Sequence, residues 1–123
     1  MTDGAVILAV DHNRRNLELL GQFLGQEGYQ MHPASSLEEV DHVLDQAEDI
    51  RLALVDIGGF DHRIWERCQR LREQHIPFLV LSPRQSAGLQ QASVSAGARG
   101  VLVKPLVVRE LLGLVRSLLE EEG

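Results

Sequence analysis

A single cysteine, Cys68, leaves no intrachain disulfide to be made and suits a reducing compartment such as the cytoplasm. It lies in a helical stretch, where a buried, inert thiol is the expected role. No apolar run approaches the roughly 18 residues needed to cross a bilayer. The N-terminus lacks the ordered basic region, hydrophobic stretch and cleavage site of a signal peptide. These absences lead to the expectation of a soluble cytoplasmic chain with no membrane partner. Basic residues are also few. Twelve Lys and Arg against eighteen Asp and Glu give a net charge of −6, which argues against a nucleic-acid surface in this chain, though not in a fused partner. There is no internal repeat, low-complexity tract or linker, so residues 1–123 read as one domain of ordinary size.

What is present is a set of short apolar runs. Leu52-Ala-Leu-Val runs straight into Asp56, and Ile57-Gly58-Gly59 follows. A short, continuously apolar run reads as a strand buried on both faces of a parallel sheet. A carboxylate on such a strand is costly unless it sits where the strand leaves the core. Asp56 therefore belongs at the C-terminal edge of the sheet, where open α/β sheets bind ligands. By itself, this carboxylate could equally cap a turn. Repetition changes the weight. Ala5 to Val10 ends in Asp11-His12, Phe78 to Leu81 ends in Ser82, and Val101 to Val103 ends in Lys104-Pro105. In a parallel sheet, two acids, a hydroxyl and an ammonium would converge on one edge.

The strands alternate with helical patterns. Val6 to Val10 is the first strand. Asn13 is placed to cap a helix from Arg14 to Glu27, with Leu17, Leu20 and Leu24 at helical spacing and Leu19 and Phe23 widening the stripe. Tyr29 to Ala34 is a rather polar strand suited to a sheet edge. Ser36-Leu-Glu-Glu39 has capping-box form and opens a helix carrying Val40, Val43 and Leu44 inward. Asp41, Asp45, Glu48 and Asp49 form its expected solvated face. Leu52 to Asp56 is the central strand, and Arg63 to Gln74 a helix burying Ile64, Cys68 and Leu71. Phe78 to Leu81 precedes a small-residue helix, Ser86 to Ala96, with Leu89 and Val94 as its anchors. Val101 to Val103 is the last strand and Val108 to Glu121 the last helix. Regular alternation implies a parallel sheet with helices on both faces.

The residues Ile7-Leu-Ala-Val-Asp11, Leu54-Val-Asp56, Leu79-Val-Leu-Ser82 and Gly97-Ala98 with Leu102-Val-Lys104-Pro105 resemble the receiver domains of two-component response regulators. The likeness covers essentially the whole chain. It implies a flavodoxin-like, doubly wound sheet of five strands in the order 2-1-3-4-5 with five helices, and a signalling domain rather than an enzyme. It implies Asp56 as acceptor of a phosphoryl group from a histidine kinase or phosphotransfer protein. Asp11, Asp56 and the carbonyl of Gly58 would hold magnesium, or manganese. Lys104 and Ser82 would contact the phosphoryl oxygens, and Lys104-Pro105 would be a cis peptide. An output domain, fused or separate, would complete the system; none follows the fifth helix in this sequence.

The sequence departs from the family pattern in four places. His12 stands where a second acid is usual, which weakens the expected magnesium site. It either faces solvent or joins Asp11 and Asp56 in a set suited to manganese or zinc. Phe60 replaces a proline and would be free to meet a partner. Arg63 and Ile64 replace an acid-glycine pair. Val101 replaces an aromatic switch residue. These departures leave open a degenerate receiver that works only as an interaction module. A flavin or nucleotide binder is a third reading, disfavoured because no glycine-rich phosphate loop follows the first strand.

Overall fold

The computed structural model describes residues 4–46 and 49–122. Along the chain lie β1 (Val6–Val10), α1 (Arg14–Gln26), β2 (Gln30–Ala34), α2 (Leu37–Gln46), β3 (Ile50–Asp56), α3 (Ile64–Glu73), β4 (Phe78–Ser82), α4 (Ala87–Ser95), β5 (Gly100–Val103) and α5 (Val108–Glu122). All strand pairs are parallel, and the order is β2-β1-β3-β4-β5. This is the expected doubly wound arrangement.

The continuous apolar runs have a simple cause. Side chains on a strand alternate between faces, and both faces of this sheet are covered. Leu52 and Leu54 of β3 pack with Leu24 of α1 and Val115 and Leu119 of α5. Ala53 and Val55 pack on the other face with Val40 of α2 and Ile64 and Cys68 of α3. Each fully buried Leu or Val stabilises the fold by about 1.5–3 kcal/mol. Burial pushes the Cys68 thiol up to about 12, the behaviour of an inert core residue. Strand β2 lies at the edge, where Pro33 has no ladder bond to donate on its outer side.

The helix caps follow the sequence closely. Asn13 Oδ1 accepts from the N–H groups of Arg15 at 2.9 Å and Asn16 at 3.3 Å. Ser36 Oγ accepts from Glu39 N at 3.1 Å. The return half of the capping box is displaced by one residue. Glu39 accepts from Ser35 N at 2.7 Å and Ser35 Oγ at 3.1 Å, and the Ser35 N–H is the main cause of its lowered carboxyl pKa.

Three expectations about side chains fail. Val94 does not anchor α4: it is 62% exposed. Leu89, Ser93 and Ala96 form the inward row instead, and buried Ser93 donates its hydroxyl to Leu89 O at 2.7 Å. These residues are spaced four and three apart, so they share a face, and Val94 sits 100° round the helix from Ser93. Leu19 and Phe23 are 42% and 43% exposed. They lie at the rim of the α1 stripe, beyond the buried row of Leu17 and Leu24. Asp41 and Asp45 are not merely solvated. Asp41 takes a two-pronged contact from Arg67, and Arg70 pairs with both Asp41 and Asp45, joining α2 to α3. Asp49 is exposed, and Glu48 lies outside the described residues.

Candidate functional site

Reversal of strand order between β1 and β3 leaves a crevice at their C-terminal ends. Asp11 follows β1 and Asp56 ends β3, so the two acids flank that crevice. Lys104 follows β5, and its backbone N–H donates to Ser82 O at 2.9 Å. That bond continues the β4–β5 ladder past the strand end and places Lys104 toward the crevice. The Lys104-Pro105 peptide is cis, as expected.

Asp56 is only 2% exposed. Its Oδ1 accepts from Gly58 N at 3.0 Å. Its Oδ2 makes an ion pair with the Lys104 ammonium. Burial pushes the Asp56 carboxyl above its ordinary pKa; Asp11 adds to the rise, while Lys104 and the Gly58 N–H oppose it. A side chain on Gly58 would meet Asp56 Oδ1 at 3.2 Å and Pro83 at 3.5 Å, so a residue without one suits this loop.

Asp11, Asp56 and Lys104 are thus together. Ser82 is adjacent but engaged elsewhere. Its buried hydroxyl donates to Arg84 O at 2.7 Å, which is the loop-capping role that a serine before Pro83 also permits. The partner of that hydroxyl could not be foreseen, because any nearby carbonyl would serve. Another signal was available. Lys104 is the only lysine in the chain; the other eleven basic residues are arginines. Lysine offers a compact point charge where arginine offers a fork.

His12 does not join the acids. It is exposed, its ring stands edge-on to Phe60 at 5.9 Å, and it lies over Gly59. With φ of +83° and the His12 ring about 3 Å from where a Cβ would be, Gly59 has two reasons to be glycine. No three His, Cys, Asp or Glu side chains among the described residues stand close enough to hold a metal, so the Asp11–His12–Asp56 set is not formed. A hard cation needs less. Magnesium is commonly held by one or two carboxylates and keeps several waters, and Asp11 and Asp56 on one sheet edge fit that need. Phe60 is half-buried against His12 and the core rather than free. Arg63 forks onto Asp61, holding that carboxyl down at about 2. Val101 is half-buried against the core.

The chain has counterparts among known proteins. The sequence pattern of the response regulator receiver domain matches residues 7–116. The chain belongs to that family. Among its relatives, the response regulator MprA of Mycobacterium leprae is 34% identical over 116 residues, covering 92% of this receiver and 50% of MprA. The heme response regulator HssR of Staphylococcus epidermidis is 28% identical over 114 residues, again covering 50% of the relative. The receiver thus spans about half the length of the curated relatives it matches. A CheY-like response regulator receiver domain protein from Methanospirillum hungatei has a crystal structure that superimposes with a TM-score of 0.87 at 26% identity, covering 98% of this receiver and 100% of that chain. A two-component response regulator from Clostridium difficile gives 0.88 at 22%, over 97% and 98% of the two chains, a likeness of fold alone. No helix among the described residues is long and apolar enough to cross a membrane.

Proposed function

We propose that this receiver accepts a phosphoryl group on Asp56 from a phosphohistidine of a histidine kinase or phosphotransfer protein, in a two-component relay. One observation carries the reading: a buried carboxylate at the C-terminal end of β3, paired with the chain's only lysine and close to a second acid, Asp11. In the reaction an Asp56 oxygen forms a bond to phosphorus and the phosphorus–nitrogen bond of the donor breaks. The electron pair returns to the imidazole, which takes up a proton. Such transfers depend on positioning and charge neutralisation. Magnesium or manganese would supply part of that neutralisation, held by Asp11, Asp56 and the Gly58 carbonyl. Lys104 would turn from the carboxylate to a phosphoryl oxygen.

Ser82 would hydrogen-bond another phosphoryl oxygen, and its hydroxyl must first leave Arg84 O. A bond to a charged acceptor is worth about 1.5–3 kcal/mol, against about 1 kcal/mol for the neutral one it replaces. The difference supplies a driving force for moving the loop from Ser82 to Ala87, and with it the lightly anchored α4. Val101 provides no swinging ring, so the changed surface around α4, β5 and α5 would arise from this loop. Partners would read that surface.

The test is incubation with acetyl phosphate and magnesium, followed by intact-mass measurement. Wild type should gain one phosphoryl mass and Asp56→Asn none. Labelling that persists in Asp56→Asn would remove this residue from the role, and no labelling of wild type would leave an interaction module.

A further inference from the structure

A cavity of about 300 Å³ opens beside Asp56 and runs between α1 and α5. Leu24 and Leu111, both core residues, form part of its inner lining, and the half-exposed Leu19 and Phe23 line its outer part. Its polar lining is Asp11, Asn16, Asp56 and Lys104. Apolar walls with a few convergent polar groups are the usual composition of a small-molecule site. The size is also that of a small molecule.

We propose that this cavity binds a small amphipathic cation, an ammonium or amidinium head on an apolar body, with the head at Asp11 beside Asp56. Charge complementarity selects this occupant. Two carboxylates and one ammonium leave one net negative charge at the polar end, and Lys104 is already committed to Asp56. Asp56 Oδ2 is buried against the Lys104 ammonium, so the head lies chiefly at the partly exposed Asp11, beside that pair. A carboxylate or phosphate head would face both aspartates. A neutral alcohol could donate one hydrogen bond but would leave the charge uncompensated. The apolar body lies against Leu19 and Phe23 and removes their surface from water, which favours binding roughly in proportion to the area covered. The proposal does not require Asp56 to accept a phosphoryl group. The cation head and magnesium would both use Asp11, so each should displace the other.

Isotope-labelled protein titrated with octylamine, octanol and octanoate, each below its micellar concentration, tests this by amide chemical shifts. Octylamine should give saturable shifts at Leu19, Phe23 and Gly58, with an affinity about tenfold above that of octanol and octanoate. Asp11→Asn should weaken octylamine alone. Phe23→Ser, at an exposed position that does not threaten folding, should weaken all three. Magnesium should raise the apparent Kd of octylamine and leave that of octanol unchanged. Octanoate binding as tightly as octylamine would overturn the proposal by placing the head on Lys104. Unsaturable shifts that include the remote exposed Val94 would overturn it as surfactant adsorption. So would an unchanged octylamine affinity in Asp11→Asn whose remaining spectrum is native. The phosphorylation assay is unaffected by any of these results, so the two readings fail separately.

Discussion

Asp41 on α2 and Asp56 at the end of β3 each face a cation, in very different surroundings. Asp41 receives Arg67 Nε at 3.2 Å on one oxygen and Arg67 Nη2 at 2.8 Å on the other. The geometry is a fork, water is at hand, and such pairs contribute about 0–1 kcal/mol. Asp56 has been taken out of water. It has one backbone N–H on Oδ1 and an ammonium against Oδ2. Desolvation of a buried pair can exceed its Coulombic gain. The well-satisfied pair ties two helices together at little energy. The buried one lies at the candidate site, where burial and the nearby Asp11 raise its carboxyl pKa.

The largest effect should come from taking the cation away from Asp56. Lys104→Met is expected to destabilise the fold at neutral pH by about 2 kcal/mol, below the value for a fully buried pair because the Lys104 side chain is 32% exposed. Denaturant unfolding at two pH values would measure it, and the loss should shrink on acidification as Asp56 takes a proton. An unchanged stability would place Asp56 in the same class as Asp41.

Removing the charge itself should act in the opposite direction. Asp56→Asn is expected to raise stability at neutral pH by about 1 kcal/mol. The sign follows from the raised carboxyl pKa. Between the unfolded and folded values the native state holds more proton, so stability falls as pH rises through that interval. The gain in Asp56→Asn is therefore full above the folded pKa and disappears below the ordinary carboxylate value. Thermal melts across that range would show it, and a destabilised variant at neutral pH would contradict a net cost of burial.

Arg67→Ala, on the other side of the comparison, should cost no more than about 1 kcal/mol, and less in high salt. A larger, salt-insensitive loss would mean that the α2–α3 bridge is part of the core. The smallest effect concerns His12, which stands beside the site without entering it. His12→Asp should lower stability by about 0.5 kcal/mol without metal, as a like charge near Asp11 and Asp56. It should regain that loss in magnesium and bind the ion more tightly than wild type. Calorimetric titration of both proteins decides, and equal affinities would put position 12 outside the electrostatic reach of the acids.

Apolar runs and their polar ends were enough to locate β1, β3, β4 and β5. A segment covered on both faces must be apolar at every position, and the first polar residue marks where cover ends. Asn13 and Ser36 announced helix starts for a local reason: each accepts from a backbone N–H two or three residues away, as Ser86 also does in the structure. Asp11, Asp56 and Lys104 could be placed on one edge because parallel strands all end on the same side. The contents of that edge, a carboxylate beside an ammonium, were therefore legible before any coordinate.

Other features depended on how the chain packs, in some cases between residues far apart in it. Arg67 meets Asp41 across 26 positions, and Glu39 accepts from Ser35 rather than Ser36. Whether Val94 or Ser93 of α4 faces inward turns on a rotation of the helix against the sheet, and a stretch with only two sizeable apolar residues does little to set that rotation. Ser82 donates to Arg84 because the loop brings that carbonyl within 2.7 Å. His12 turns to Phe60 because Gly59 leaves room for the ring. Burial periodicity, caps and strand ends are local and repeat along the chain, so the sequence alone determined the fold and which polar strand ends share one edge. Partner choice, helix rotation and the cavity beside Asp56 arise where separate elements meet, and only the packed tertiary structure sets the distances that decide them.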